Sequence, residues 1–128
     1  MRNLTKAIAA IALLGLPVPL AAQNATTAFD GSYAGVSRQL EEGGLMSHRT
    51  NRCPPSGAAA ALTIANGVAR TPWVTDDPLV GSVDPQGGLV MRTQHGHKFE
   101  GRIDGQGRIT GRLTGVCAYQ IVWQKRGR

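Results

Sequence analysis

The chain has 128 residues, with 14 basic against 8 acidic side chains, 17 glycines and only two cysteines. We expect a sequence of this length to form one small domain. The mild positive charge permits contact with anionic surfaces without requiring it. Aromatic residues make up only 5% and form no row among the basic side chains, so a nucleic-acid partner is not predicted.

Residues 1–22 have the pattern of a secretory signal peptide, with a basic start, an apolar stretch and small residues before the expected cut after Ala22. Glycine and proline interrupt the apolar stretch, which is shorter than the roughly 20 residues needed to span a bilayer. We therefore expect a single domain over 23–128 and a periplasmic or secreted location. No membrane span is predicted after the signal is removed.

The exported part begins with a predicted strand followed by a long loop. "FDGSYAGVSRQL" (29–40) alternates well enough for a strand, with Phe29 and Tyr33 on the same side. The periodicity disappears between residues 41 and 59, where glycines and consecutive prolines indicate a loop.

The two cysteines, Cys53 and Cys117, both lie in the exported part. An even pair of thiols in a small exported domain predicts one disulfide, which would close a loop of about 65 residues. Metal ligation by these two thiols alone is the weaker alternative, because a zinc site usually has four ligands at closer spacing.

"ALTIANGVAR" (61–70) reads as two short strands joined by Asn66-Gly67, a pair that suits a type I′ turn. "TPWVTDDP" (71–78) is interpreted as a connecting loop in which Trp73 is the only large apolar residue. The sequence thus predicts two loops with room for function, at 39–59 and 71–78.

An internal repeat follows, with "LVGSVDPQGGLVMR" (79–92) matching "FEGRIDGQGRITGR" (99–112) at an offset of 20 residues. Each copy is apolar at alternate positions and broken by a glycine-containing turn, which predicts a β-hairpin. Asp84 and Asp104 begin the turns, where a carboxylate accepts from the backbone N–H two residues on. One acid per turn is too few for a calcium site.

The hairpin register follows if Asp104 lies opposite Arg108. Glu100 then faces Arg112 on the outer face, so that the arginines gain carboxylate neighbours across the strands. Gly101 and Gly111 face each other inside, where we expect cover from Tyr119 or Trp123, or from a ligand.

The last predicted strand, 116–126, places alternate apolar residues on one side, namely Cys117, Tyr119, Ile121 and Trp123. Together the segments predict an all-β domain of about eight strands. The expected architecture is a small antiparallel meander that forms a barrel or barrel-like sandwich with one disulfide.

His95 and His97 are separated by one residue, so on an extended strand both rings would point the same way. With His48 from the long loop they could form a copper, nickel or zinc site. Further ligands are not evident from the spacing, and a polar hairpin turn around Gly96 is the alternative.

The segments "FDGSYAGVSR", "CPPSG", "LTIANGVA", "GSVDPQGGLVMR", "FEGRIDGQGRITG" and "CAYQIVWQK" resemble small, uncharacterised, exported β-rich proteins of proteobacteria. These proteins share two cysteines and a repeated G-x-[VI]-D-x-Q-G hairpin. The resemblance implies a periplasmic or secreted disulfide-linked β-domain. It implies no catalytic residue, cofactor or substrate.

No catalytic residues and no cofactor are predicted, because the sequence lacks a nucleophile motif and both thiols are expected to be paired. The acidic pairs at 41–42 and 76–77 are interpreted as solvated. We expect a non-catalytic domain that binds an envelope component or a protein partner, for example as an inhibitor of a secreted hydrolase. The expected contact residues are Trp73, His95, His97 and Lys98.

Two alternative functions remain open at this stage. One is a periplasmic metal-binding protein that uses the His-Gly-His loop. The other is an electrostatic binder of anionic polymers, which predicts affinity that falls steeply with salt. The sequence does not specify the oligomeric state.

Overall fold

The computed structural model describes residues 26–41 and 53–127. They form an all-β closed antiparallel barrel in which each strand pairs with the next along the chain and the last pairs with the first. The strands are β1 (Gly31–Leu40), β2 (Leu62–Ala65), β3 (Val68–Val74), β4 (Asp77–Val83), β5 (Gly88–Arg92), β6 (Lys98–Ile103), β7 (Arg108–Thr114) and β8 (Tyr119–Lys125). The predicted eight-stranded meander is confirmed, as a closed barrel. The predicted signal peptide lies outside the described residues.

Side chains fill the interior of the barrel. Strand residues alternate between inside and outside, as closure of a small barrel requires. The largest fully buried side chains are Trp123, Tyr33, Tyr119, Phe99, Leu62, Ile64, Leu79, Leu89, Met91, Ile109, Leu113 and Ile121. Within 26–41 and 53–127, no helix is long and apolar enough to cross a bilayer.

The glycine pair of the second hairpin lies as expected, with Gly101 opposite Gly111. An aromatic ring covers it, but the ring is that of Phe99 rather than Tyr119 or Trp123. A Cβ on Gly101 would lie 2.6 Å from Cζ of Phe99. Phe99 leans along its own strand, so cross-strand register alone does not identify it.

One end of the barrel, the turn end, carries the tight turns after β2, β4 and β6. Asn66 (φ 53°) and Gly67 (φ 79°) both have positive φ, as the predicted type I′ turn requires. Oδ1 of Asp84 and of Asp104 each accepts from the N–H two residues on, at 2.9 Å. The turn chemistry predicted from the repeat is confirmed.

The turns of this end are also linked to one another. The carbonyl of the turn glycine accepts from a backbone N–H of the following hairpin or strand, at 2.8 to 3.0 Å. The three pairs are Gly67 with Val83, Gly87 with Ile103, and Gly107 with Lys125. The repeat therefore builds a continuous rim rather than separate turns.

The other end, the disulfide end, carries the connections after β1, β3, β5 and β7. The predicted disulfide between Cys53 and Cys117 is present, with an S–S distance of 2.07 Å. It fixes residues 53–61, here called the strap, against the ends of neighbouring strands. Trp123 Nε1 donates to the carbonyl of Ala60 at 2.8 Å, and the Tyr119 hydroxyl donates to that of Pro54 at 2.6 Å.

The interpretation of 71–78 as a long loop is wrong. β3 continues to Val74 and β4 begins at Asp77, so only a two-residue turn separates them. The register between β3 and β4 shifts between Thr71 and Val74. Such a bulge accommodates Pro72, which has no N–H to give to the ladder.

The expected partner of Arg112 is also different. Arg112 faces Glu100 in the register, but its Nη2 lies 2.7 Å from Oε1 of Glu41. Glu100 pairs instead with Lys98, at 3.3 Å. Glu41 follows β1, and only closure of the barrel brings it near β7.

Candidate functional site

The four predicted contact residues all lie at the disulfide end. Trp73 is near the end of β3, His95 and His97 belong to the turn between β5 and β6, and Lys98 begins β6. Trp73 and His97 are neighbours, with ring centroids 5.8 Å apart. The Trp73 ring also packs edge-on against Tyr119, at 4.9 Å. These three rings, Trp73, His97 and Tyr119, form the aromatic cluster.

The aromatic cluster contains polar ring atoms that lack a partner. Nε1 of Trp73 and both ring nitrogens of His97 are buried, and no described residue hydrogen-bonds to them. Burial lowers the pKa of His97, and nearby Asp77 only partly opposes this effect. His97 is therefore neutral near pH 7 and acts as part of an apolar surface rather than as a cation.

His95 is held in a different way. Its side chain is 77% exposed, yet Nδ1 lies 2.7 Å from Oδ2 of Asp77, whose side chain is only 3% exposed. The same carboxylate accepts from the backbone N–H groups of Gln94 and His95, at 2.7 and 3.1 Å. A buried acid on β4 thus holds an exposed imidazole on the neighbouring turn.

The charge state of Asp77 suits this role. Burial raises its pKa, but the hydrogen bonds from Gln94 and His95 outweigh burial, and the net shift is downward. Asp77 is ionised at neutral pH. When His95 is neutral, donation from Nδ1 leaves Nε2 directed to solvent as an acceptor.

Asp77 is the functional residue that sequence reasoning missed. The pair at 76–77 was interpreted as solvated, whereas Asp77 is 2% exposed. Asp77 begins β4, which pairs with β5, and β5 leads into the turn that carries His95. This position could have indicated its burial only if the short turn at 75–76 had been predicted.

The structure does not bring the two histidines together as a ligand pair. His95 reaches into solvent, while the nitrogens of His97 are buried in the aromatic cluster. In the described part of the chain, no group of three or more histidine, cysteine or acidic side chains is placed to hold a metal ion. His48 lies outside the described residues, so the three-histidine site stays a prediction.

Lys98 completes the set beside the histidine turn. Its side chain is half-exposed and forms an ion pair with Glu100. In the register of β5 and β6, Lys98 lies opposite Arg92. Two cationic side chains therefore flank the turn that carries His95. The disulfide end therefore carries an exposed imidazole, these cations and the partly buried rings of Trp73 and His97.

The hollows of the barrel surface differ between the two ends. A cleft of about 390 Å³ opens at the turn end between Phe29 and the β6–β7 turn. Two of its polar side chains are engaged, since Gln124 donates to the carbonyl of Gln106 and Asp104 accepts from its own turn. At the disulfide end, an open depression of about 400 Å³ beside the β3–β4 turn is lined in part by Asp77, and the hollow between the strap and Trp73 measures only about 50 Å³. The disulfide end therefore offers an open surface rather than a deep cavity.

Comparison with protein-family models, with curated proteins and with solved structures finds no match.

Proposed function

We propose that this chain is an exported, non-catalytic binding domain that contacts an envelope component or a protein partner through its disulfide end. The observation that carries the proposal is the exposed His95 held on the buried carboxylate of Asp77. Lys98 begins the strand that follows the same turn, and His97 of the aromatic cluster is two residues from His95.

Preorganisation is the physical reason that such a surface favours binding. An exposed side chain that is already held in one orientation loses less conformational entropy when a partner covers it. The disulfide and the strap hydrogen bonds extend the same effect to the backbone around Tyr119. A partner would therefore meet a surface whose shape is fixed in advance.

Three acids of the turn end support a role in shape rather than catalysis. The carboxylates of Asp30, Asp84 and Asp104 accept hydrogen bonds from backbone N–H groups of turns. A general acid or base must instead exchange protons with a substrate. Export is supported by the disulfide, since such bonds persist in oxidising compartments. Inhibition of a secreted hydrolase is one form that this binding could take.

The test compares capture by the two ends of the barrel. Immobilised mature domain is incubated with an envelope extract, and captured proteins are identified and titrated. We expect His95→Ala and Lys98→Ala to weaken capture of the same partner, while the turn-end variants Gln106→Ala and Arg108→Ala retain it. Equal capture by all four variants would contradict the proposed surface. Hydrolysis of a substrate panel, lost on a single polar substitution, would contradict the non-catalytic role.

One observation favours metal binding as a second candidate function. The hydrogen bond from Nδ1 of His95 to a carboxylate is the arrangement that orients metal-binding histidines, with Nε2 as the ligand. Cu²⁺ or Zn²⁺ titrated into the full exported domain should then bind more tightly than to a His95→Ala, His97→Ala double variant. Equal affinity would end this alternative.

A further inference from the structure

The outer wall of the barrel over β3, β4 and β5 is both apolar and basic. Three valines on it are well exposed, with Val68 at 50%, Val90 at 40% and Val80 at 36%. Arg70 lies opposite Val80 on one side, and Arg92 lies opposite Val80 on the other. These five residues are here called the valine–arginine wall.

The register fixes the spacing of the wall. Neighbouring strands are about 4.8 Å apart, so the backbone positions of Arg70 and Arg92 are separated by about 10 Å with Val80 between them. In the next outward-facing row Ser82 lies between Val68 and Val90.

Two open depressions lie at the margins of the wall. One of about 400 Å³ is lined in part by Arg70, Val74 and Asp76. The other, of about 200 Å³, is lined in part by Ser82, Val90 and Asp84.

The charge of the wall depends on which partners the acidic side chains have. Most described acids cap turns at the two ends of the barrel, and Glu41 pairs with Arg112. Within the described ranges, Arg70 and Arg92 make no ion pair. Asp76 and Asp77 line the larger depression and Asp84 lines the smaller one, while Glu100 lies opposite Val90 and is paired with Lys98. The charged side chains of the wall itself are therefore two arginines without a carboxylate partner among the described residues.

We infer that the valine–arginine wall docks an acidic protein surface whose carboxylates flank apolar side chains. The inference rests on the proposed binding function and names the chemistry of the partner. Carboxylates complement Arg70 and Arg92, and apolar side chains remove the exposed valines from water. A polyphosphate or nucleic acid would satisfy the arginines alone. Arg92 directly precedes the turn that holds His95, so the wall continues the surface of the disulfide end.

The experiment uses three polymers of defined chemistry as probes for the full exported domain. They are a random copolymer of glutamate and tyrosine, polyglutamate of matched charge, and polyphosphate. We expect the copolymer to bind most tightly, because only it offers both carboxylates and apolar side chains. Arg70→Glu with Arg92→Glu should weaken its binding about tenfold or more, and Val80→Ser with Val90→Ser should remove its advantage over polyglutamate.

The matched control reverses two arginines of the turn end, Arg108→Glu with Arg126→Glu, and gives the same change in net charge. This variant should bind the copolymer nearly as the wild type does. Equal losses in the wall and control variants, or tighter binding of polyphosphate than of the copolymer, would overturn the inference. Those results would indicate electrostatic attraction to polyanions in general.

The two proposals can fail separately. If the wall variants bind the copolymer as the wild type does, the wall is not a docking surface, while capture that depends on His95 still supports the proposed function. If capture does not depend on His95 but copolymer binding depends on the wall, the contact surface is the wall rather than the disulfide end.

Discussion

The contacts at the two ends of the barrel join residues that differ in their separation along the sequence. At the turn end, Asp84 accepts from residues two and four positions further on. At the disulfide end, Trp123 and Tyr119 bind strap carbonyls 63 and 65 positions away, and Arg112 reaches Glu41 at a separation of 71. The hairpin turns of the first end are specified mainly by residues close in sequence, although Asp30 also accepts from Asn66 and Gly67 at separations of 36 and 37. The cited contacts of the second end form only once the barrel has closed.

This difference bears on where function can lie. The turn carboxylates of Asp84 and Asp104 accept hydrogen bonds from backbone N–H groups of their own turns. They are therefore part of the turn structure rather than free to contact a partner. The disulfide end instead gathers side chains from β3, β4, β5, β6 and β8 around one region. Distant residues converge there, which is the usual way in which a rigid scaffold builds a binding surface.

Removal of the disulfide should cause the largest loss of stability, and this loss should be concentrated at the disulfide end. Replacing Cys53 and Cys117 by serine frees a loop with a sequence separation of 64. The chain-entropy model gives a loss of about 4 kcal/mol in the free energy of unfolding. Urea denaturation measures it, and hydrogen exchange should show faster exchange at the strap than at the turns after β4 and β6. Uniform loss of protection would contradict separate control of the two ends.

A local change at the turn end should be smaller and independent of the disulfide. Asp84→Ala removes two charge-assisted hydrogen bonds to the N–H groups of Gln86 and Gly88. We expect a loss of about 1.5 kcal/mol in unfolding free energy. The same loss should be measured by urea denaturation in the wild type and in the cysteine-free variant, because the sites share no contacts. A loss that changes between the two backgrounds would show that the ends are coupled.

The stability cost of a local substitution at the disulfide end should depend on whether the disulfide is present. Tyr119→Phe removes only the hydroxyl that donates to Pro54, and we expect a cost of about 1 kcal/mol. In the cysteine-free variant the strap is already released, so most of this cost should vanish in a double-mutant cycle. An undiminished cost would show that the strap stays in place without the disulfide.

The difference in sequence separation between the contacts of the two ends also explains which features the sequence could predict. The Asp84 and Asp104 turns, the Asn66-Gly67 turn and the register of β6 with β7 were all predicted correctly, because each depends on residues close in sequence. Strand number and alternation predicted a barrel or a barrel-like sandwich, and the structure shows the closed barrel. The cysteine pair was the one long-range contact that composition alone supplied.

The errors fall where distant strands meet. The 75–76 turn was missed because two prolines and two aspartates resemble a loop when the bulge in β3 is not known. The Arg112–Glu41 pair and the burial of Asp77 both depend on neighbours that no local pattern brings together. The candidate site was therefore predicted as single residues, and its central contact, between Asp77 and His95, was not.

The smallest predicted effect has the opposite sign and lies in the aromatic cluster. His97→Phe keeps a ring beside Trp73 and removes two buried nitrogens without partners, so we expect a gain of about 1 kcal/mol or less in unfolding free energy. The pKa of His97 lies below its ordinary 6.5, so the unfolded chain binds more protons and stability falls as pH drops below about 6.5. His97→Phe should remove this decline in urea denaturation at pH 7 and pH 5, whereas the turn-end variant Gln106→Ala should retain it. Equal declines in the wild type and His97→Phe would show that burial of His97 does not set the acid sensitivity of this end.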